Sequence, residues 1–260
     1  MQFQFIQFSE TISNHRCEIP LPMYFGGDEG ISFFTPEDAI ANMYPTINLC
    51  TVEGDIIEGS EGGGRTEIWS FIQGVFKSGA SIYSAEKAKQ FIAPNELFRI
   101  CLSGVNGRLF YSNVLQRYES SEGLAHIKYR CLGNDNMLGF PWSDTNATGT
   151  FIRQWLPIKL SNPTYKQKDN IYEKINGDKV VLFSQITKEY QCETDYIPEA
   201  WHDKLIVALA CDEVFIDGER LTKTDDYDPN WENTLKTETG IKCAQASWKM
   251  AANVTQRNSI

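Results

Sequence analysis

Short apolar runs separated by glycine-containing turns dominate this chain, and long periodic stretches are few. Three turn signals of one kind punctuate it: Asn106-Gly107, Asn176-Gly177 and Asp217-Gly218. Each offers the two positive-φ positions of a type I′ turn, whose twist suits the antiparallel strands on either side. Tyr172 to Ile175 run into the second signal and Asp178 to Phe183 run out of it, a strong local hairpin signature. Leu97–Leu102 and Arg108–Tyr111 form another hairpin, with a loop longer than two residues because Ser103 and Gly104 also belong to it. Phe3, Phe5 and Phe8 begin an amphipathic strand, and Ala125, Ile127, Tyr129 and Cys131 alternate onto one face of a second. Cys17 to Phe25 is apolar but holds Pro20 and Pro22, which cannot donate to a ladder. It predicts an edge strand or an extended arm.

One helix is clear, over 198–211. Pro198 stands in its first turn with Glu199 beside it, which suits the helix dipole. Ile197, Trp201, Leu205, Ala208 and Leu209 recur at three- and four-residue steps, one stripe for packing on a sheet. His202 and Asp203 read as its solvated side. Two shorter helical signals are Thr35 as a cap with Pro36 behind it, running to Met43, and the charged patch Ser84–Gln90. Beyond residue 150 the order is hairpin, strand, helix, strand, turn, strand. Residues 133–150 are rich in Gly, Asn, Asp, Ser and Thr and read as a linker. The predicted organisation is a β-rich domain over 1–150 with a Gly-rich loop, then a β domain over 151–260. The fold class is mainly β, in β-sandwich or rolled-sheet units with one flanking helix in the C-terminal half.

Composition adds constraints. At 260 residues, 42% hydrophobic and 22% charged, the chain can bury a sizeable core. Its net charge of −10 argues against non-specific binding to duplex DNA, which needs a basic patch. The cysteines at 17, 50, 101, 131, 192, 211 and 243 are widely spaced and form no CxxC, so zinc-knuckle and thioredoxin motifs are lacking. Free thiols in a reducing cytoplasm are the economical reading, with Cys101, Cys131 and Cys211 in the core. The N-terminal residues alternate polar and apolar and do not read as a signal peptide. No apolar run has membrane-spanning length.

Few residues suggest chemistry. Gly59–Thr66 has the spacing of a phosphate-binding loop with Arg65 where lysine belongs. Glu58 and Glu61 would face the polyphosphate, so a flexible surface loop is the better reading. His202 and Asp203 point about 100° apart on a helix and do not face each other as a base and its orienting acid. His15 and His126 lie in separate segments, and no metal-ligand spacing exists. Asp225, Asp226 and Asp228 lack the EF-hand pattern and read as a turn into Pro229. No serine sits in a nucleophile elbow. Trp142, Trp155, Trp201, Trp231 and Trp248 read mostly as core or interface anchors. No catalytic, cofactor or metal residue is expected.

The stretches Trp155–Tyr165, Lys188–Leu205, Val214–Gly218 and Asp226–Trp231, around the Asn176-Gly177 hairpin, resemble tail structural proteins of tailed bacteriophages, especially those of Bacteroidetes. Leu97–Leu102 and Tyr111–Asn113 are similar to the non-tube portion of such proteins. The resemblance implies a tail-tube-like fold, assembly into hexameric rings and no enzymatic activity. It implies partners among its own copies and other tail proteins, neither a membrane nor sequence-specific nucleic acid, and an acidic lumen past which DNA slides. It places the protein in the virion tail after synthesis in the host cytoplasm. The portion before residue 150 favours a tail-tip, baseplate or adaptor component over a tube subunit. The alternative is a carbohydrate-binding β-sandwich for host-surface adhesion, using exposed tryptophans and the Asn/Asp loops at 133–146.

Overall fold

The computed structural model describes the chain apart from residues 1, 5, 7, 13–17, 19, 26–30, 36–44, 62–63, 73–74, 105–106, 133–150, 233, 237–239 and 259–260. The fold is mainly β, with 54% of residues in strands and 11% in helices, so strand pairing sets the architecture. The largest sheet has ten strands. Its path runs Gln2–Gln4, Phe151–Leu156, Ala125–Arg130, Glu213–Ile216, Glu219–Lys223, Ala246–Asn258, Lys179–Thr194 and Ile158–Leu160. Thr164–Glu173 lies alongside Lys179–Thr194, and Asp228–Pro229 alongside Ala246–Asn258.

The predicted alternation at 125–131 is realised. Ala125, Ile127, Tyr129 and Cys131 are buried, and across the ladder they meet Ile152 and Leu156 on one side and Val214 and Ile216 on the other. The helix Glu199–Leu209 packs on this apolar face through Trp201, Leu205, Ala208 and Leu209, the predicted stripe. Strands from both sides of residue 150 share this sheet. Gln2–Gln4 pairs in parallel with Phe151–Leu156, and Ala125–Arg130 pairs antiparallel with it. The segment 133–150 itself lies outside the described residues.

A six-stranded sheet is built around Leu97–Ser103, flanked by Thr46–Cys50 and by Leu109–Ser112 of the predicted hairpin. Leu21–Tyr24 pairs with Leu115–Tyr118 at its edge, where Pro22 costs no ladder bond that another strand needs. The helix Ala85–Phe91 starts where Ser84 accepts a hydrogen bond from the Lys87 amide. Thr35, expected to cap a helix, closes the strand Ile31–Thr35; the rest of that predicted helix falls outside the described residues.

The three turn signals do not share one geometry. Asp217 and Gly218 have φ of 50° and 83°, the two positive values a type I′ turn requires. At the Asn176-Gly177 turn only the glycine is positive, at 85°. There the Gly177 amide donates to the Lys174 carbonyl and the Lys174 amide to the Asp178 carbonyl, each at 2.8 Å. A turn closed by a left-handed glycine in a longer loop replaces the predicted type I′ form. Gly107 is positive at 73°, while Asn106 lies outside the described residues.

Candidate functional site

The most exposed structure is the hairpin of Thr164–Glu173 and Lys179–Thr194, an arm on the rim of the large sheet. Every residue of its outer strand is solvent-exposed. On its inner side, Ala246–Asn258 supports Lys179–Thr194 from Glu193 up to Phe183. Past Phe183, which faces Asn170, the arm is a ribbon of two strands among the described residues. From Asn170 to Lys174, at about 3.4 Å per residue, the ribbon projects about 14 Å before its turn. A register shift between Asn170 and Ile171 marks a β-bulge in the ribbon and adds local twist.

The ribbon is apolar where water would favour polar groups. Ile175 at its tip is 107% exposed, and Ile171, Tyr172, Val181 and Leu182 are all more than two-fifths exposed. Isolated two-stranded ribbons are marginal in water, and clustered exposed apolar side chains mark contact surfaces. From Thr164 to Phe183 the arm carries Lys166, Lys168, Lys174 and Lys179 against Asp169, Glu173 and Asp178, in a chain of net charge −10.

A cleft of about 1,090 Å³ opens between the six-stranded sheet and the start of the helix Glu199–Leu209. Arg99, 1% exposed, forms part of its floor. Its Nε donates to the Val52 carbonyl at 3.0 Å, Nη1 to the Ser112 carbonyl at 2.7 Å and Nη2 to Glu18 Oε1 at 3.2 Å. Glu18 Oε2 accepts from the Val114 amide at 2.8 Å, so this buried ion pair joins four segments and is fully engaged in structure. Phe8, Tyr111 and Trp201 supply aromatic surface. On the helix side stand the exposed Glu199 and Asp203, one turn apart, with Lys204 beside them on the same helix, and Lys242 also lines the cleft. Burial pushes the Lys204 ammonium below its usual pKa. The helix start has no side-chain cap, since Pro198 holds that position.

The described residues of the phosphate-loop spacing are committed to turn and strand, while residues 62 and 63 lie outside the described residues. Gly59 makes a turn at φ 80°, and Ser60 behind it is fully buried. Ser60 Oγ accepts from the Leu49 amide at 3.1 Å, and Tyr83 donates its hydroxyl to the Ser60 carbonyl at 2.6 Å. Lys87 reaches the Glu61 carbonyl. Arg65 and Thr66 belong to the strand Gly64–Ile72, not to a helix start. Gly64 is required by packing: a Cβ there would come within 2.5 Å of Ile47 Cδ1. Ser60, Glu61 and Gly64 are therefore fastened to the sheet, in contrast to the free surface loop expected for this stretch.

His202 also departs from its expected surface place, being only 3% exposed. Its Nε2 faces the Ala244 carbonyl at 3.1 Å, a pure acceptor, so Nε2 carries the proton. Nδ1 then accepts from the Tyr227 hydroxyl at 2.5 Å. Burial holds the imidazole below its usual pKa, against the opposing pull of the Ala244 and Ile197 carbonyls. Trp231 packs edge-on against the ring at 5.4 Å. With both nitrogens engaged in structure, the group holds the turn at 225–229 onto the helix. Asp203 is exposed, as expected, and on a different face.

The remaining candidates scatter. His126 stacks on Trp155 at 4.6 Å, with burial lowering its pKa, while His15 lies outside the described residues. Asp228 enters a short strand with Pro229. Trp248 is buried and Trp231 is 40% exposed, while Trp142 and the loops at 133–146 lie outside the described residues. Cys50, Cys101, Cys131, Cys192, Cys211 and Cys243 are buried and form no disulfide, and the Cys131 thiol donates to Cys211 Sγ at 2.7 Å. Among the described residues no three acidic, cysteine or histidine groups cluster to hold a metal ion. No described helix is long and apolar enough to cross a membrane. The arm and the cleft were missed from sequence: the arm's exposed alternation looks like any hairpin, and the cleft joins residues from 8 to 242. No protein-family model matches the chain, and neither a curated protein nor a solved structure matches it.

Proposed function

We propose that this chain is a non-enzymatic structural protein of a virion, a ring-forming component of a phage tail, tail tip or baseplate. The observation that carries the reading is the projecting arm, whose apolar tip at Ile175 stands exposed among the described residues. A protein that acts alone gains nothing from such an arm, whereas a subunit of an assembly buries it against a neighbour. The large sheet has two far edges, Gln2–Gln4 and Thr164–Glu173, and each pairs on one side among the described residues. Edges of this kind accept strands from neighbouring chains. The strand, helix, strand, turn order beyond residue 150 is what the tail-tube resemblance implies, and a hexamer is the ring it favours. The net charge of −10 suits a lumen that DNA passes without sticking.

Light scattering after size exclusion, with negative-stain microscopy of the peak, tests this reading. A closed ring, formed alone or with a purified tail protein, is the expected result. A monodisperse monomer under both conditions would sink it.

A further inference from the structure

We infer that the arm of one copy seats its tip in the cleft of the next, so that a single heterologous contact builds the ring. The inference rests on the proposed assembly and names the two surfaces that make it.

The argument begins with what each surface lacks. Ile175 stands fully exposed at the tip, so the arm does not fill its own subunit's cleft. The cleft presents the half-buried Phe8 and Tyr111 as aromatic wall, with Trp201 mostly buried behind, and is open to solvent on its rim. Its volume of about 1,090 Å³ is at the upper end of sites that enclose a sizeable ligand, room enough for a hairpin turn. The apolar tip and the aromatic wall thus answer each other.

Charge gives the pairing a direction. Lys174 and Lys179 flank the tip on either strand, with Asp178 between them. On the cleft rim Glu199 and Asp203 stand exposed one helical turn apart, beside the half-buried Lys204. Two lysines arriving from a neighbour would each find an exposed carboxylate there. The exposed Lys242 of the same lining is the counterpart for the incoming Asp178. A reversed insertion would set acid against acid, so the arrangement also selects orientation.

Symmetry follows from the same contact. Arm and cleft are different surfaces of one chain, so their union is head-to-tail. Head-to-tail contacts continue until the rotation closes a ring, and each subunit then gives one arm and receives one. The two-stranded ribbon, about 14 Å long before its turn, carries the tip clear of its own sheet toward a neighbouring subunit.

The test uses the full chain. Ile175→Cys combined with Ala200→Cys, on the exposed start of the helix, is treated with a short bis-maleimide. Covalent multimers are expected on a denaturing gel from the double variant and not from either single one. In parallel, Lys174→Glu with Lys179→Glu should raise the protein concentration needed for half-assembly at least tenfold. Adding Glu199→Lys and Asp203→Lys to that variant should restore assembly. Because these positions are exposed, circular dichroism and the thermal midpoint of the monomer should not change. If the wild type assembles and the charge reversal leaves its midpoint within twofold, the arm–cleft contact is overturned while the ring reading stands. If the wild type never assembles, both fall.

Discussion

The hairpin at Asp217-Gly218 and the arm at Asn176-Gly177 carry nearly the same turn chemistry, yet they end in opposite surroundings. In the first, Val214 pairs with Leu221 and Ile216 with Glu219; Val214, Ile216 and Leu221 are buried, and Phe215 pairs with Arg220 on the opposite face. The buried face lies on the helix-backed core. In the second, Ile171 and Tyr172 are adjacent, and so are Val180, Val181 and Leu182, so apolar groups emerge on both faces of the ribbon. No single face can be buried by one's own core, and a neighbouring molecule is the natural cover. Turn residues decide where a strand reverses; the period of the flanking residues decides what the hairpin leans on.

Substitutions can break or sharpen that contrast. The largest effect belongs to the core side. Trp201→Ala should cost roughly 3–5 kcal/mol in urea unfolding, by leaving a cavity under the helix. Ile175→Ala, at the arm tip, should move the monomer's stability by less than about 0.5 kcal/mol. Equal losses at the two sites would mean that the arm is folded into the core.

His202 comes next. Removing the ring leaves the Tyr227 hydroxyl and the Ala244 carbonyl buried without their partner, so His202→Ala should cost about 1–3 kcal/mol. Its exposed neighbour should be indifferent: Asp203→Ala should stay within about 0.5 kcal/mol. Thermal unfolding of the two variants side by side separates a surface pair from a buried anchor beside a surface acid.

The turn glycines provide a finer comparison. Gly218 and Gly177 have φ of 83° and 85°, so alanine at either should cost roughly 1–2 kcal/mol of local strain. At Gly218 the loss should appear in global unfolding. At Gly177 it should appear only as faster amide exchange in the arm. A shared drop in the global midpoint would show that arm and core unfold as one unit.

Acid should act on the core and spare the arm. Burial lowers the pKa of His202 and of His126, so the folded state favours their neutral forms. The unfolded chain binds more protons below the ordinary histidine value near 6.5. The stability these groups contribute is complete above that pH and is lost as pH falls through their folded-state values. Urea midpoints measured between pH 7.5 and 5 should fall, and His202→Asn should flatten the slope. An unchanged slope in that variant would place the sensitivity elsewhere.

Much of the fold was legible because it rests on local chemistry. The stripe Trp201, Leu205, Ala208 and Leu209 repeats at helical spacing, and the alternation from Ala125 to Cys131 can face a core in only one way. The same reasoning read His202 as surface, since a helical wheel shows angle and not depth. The anchors that bury it, Tyr227 and Ala244, lie 25 and 42 residues away. The glycine loop failed for a related reason. Its composition suggests freedom, but Ser60 is held by Leu49 and Tyr83, from two other strands.

By itself, then, the sequence determined the mainly β class, the sites of reversal and the helix with its buried stripe, because each depends on residues within about ten positions. Tertiary structure alone decided that Gln2–Gln4 joins Phe151–Leu156 in parallel, that Phe8 and Lys242 share a cleft, and that one hairpin of three projects into solvent. Those outcomes follow from pairings between distant segments. A strand edge carries the same row of amides and carbonyls whatever its side chains, so local pattern does not specify which edge it will meet.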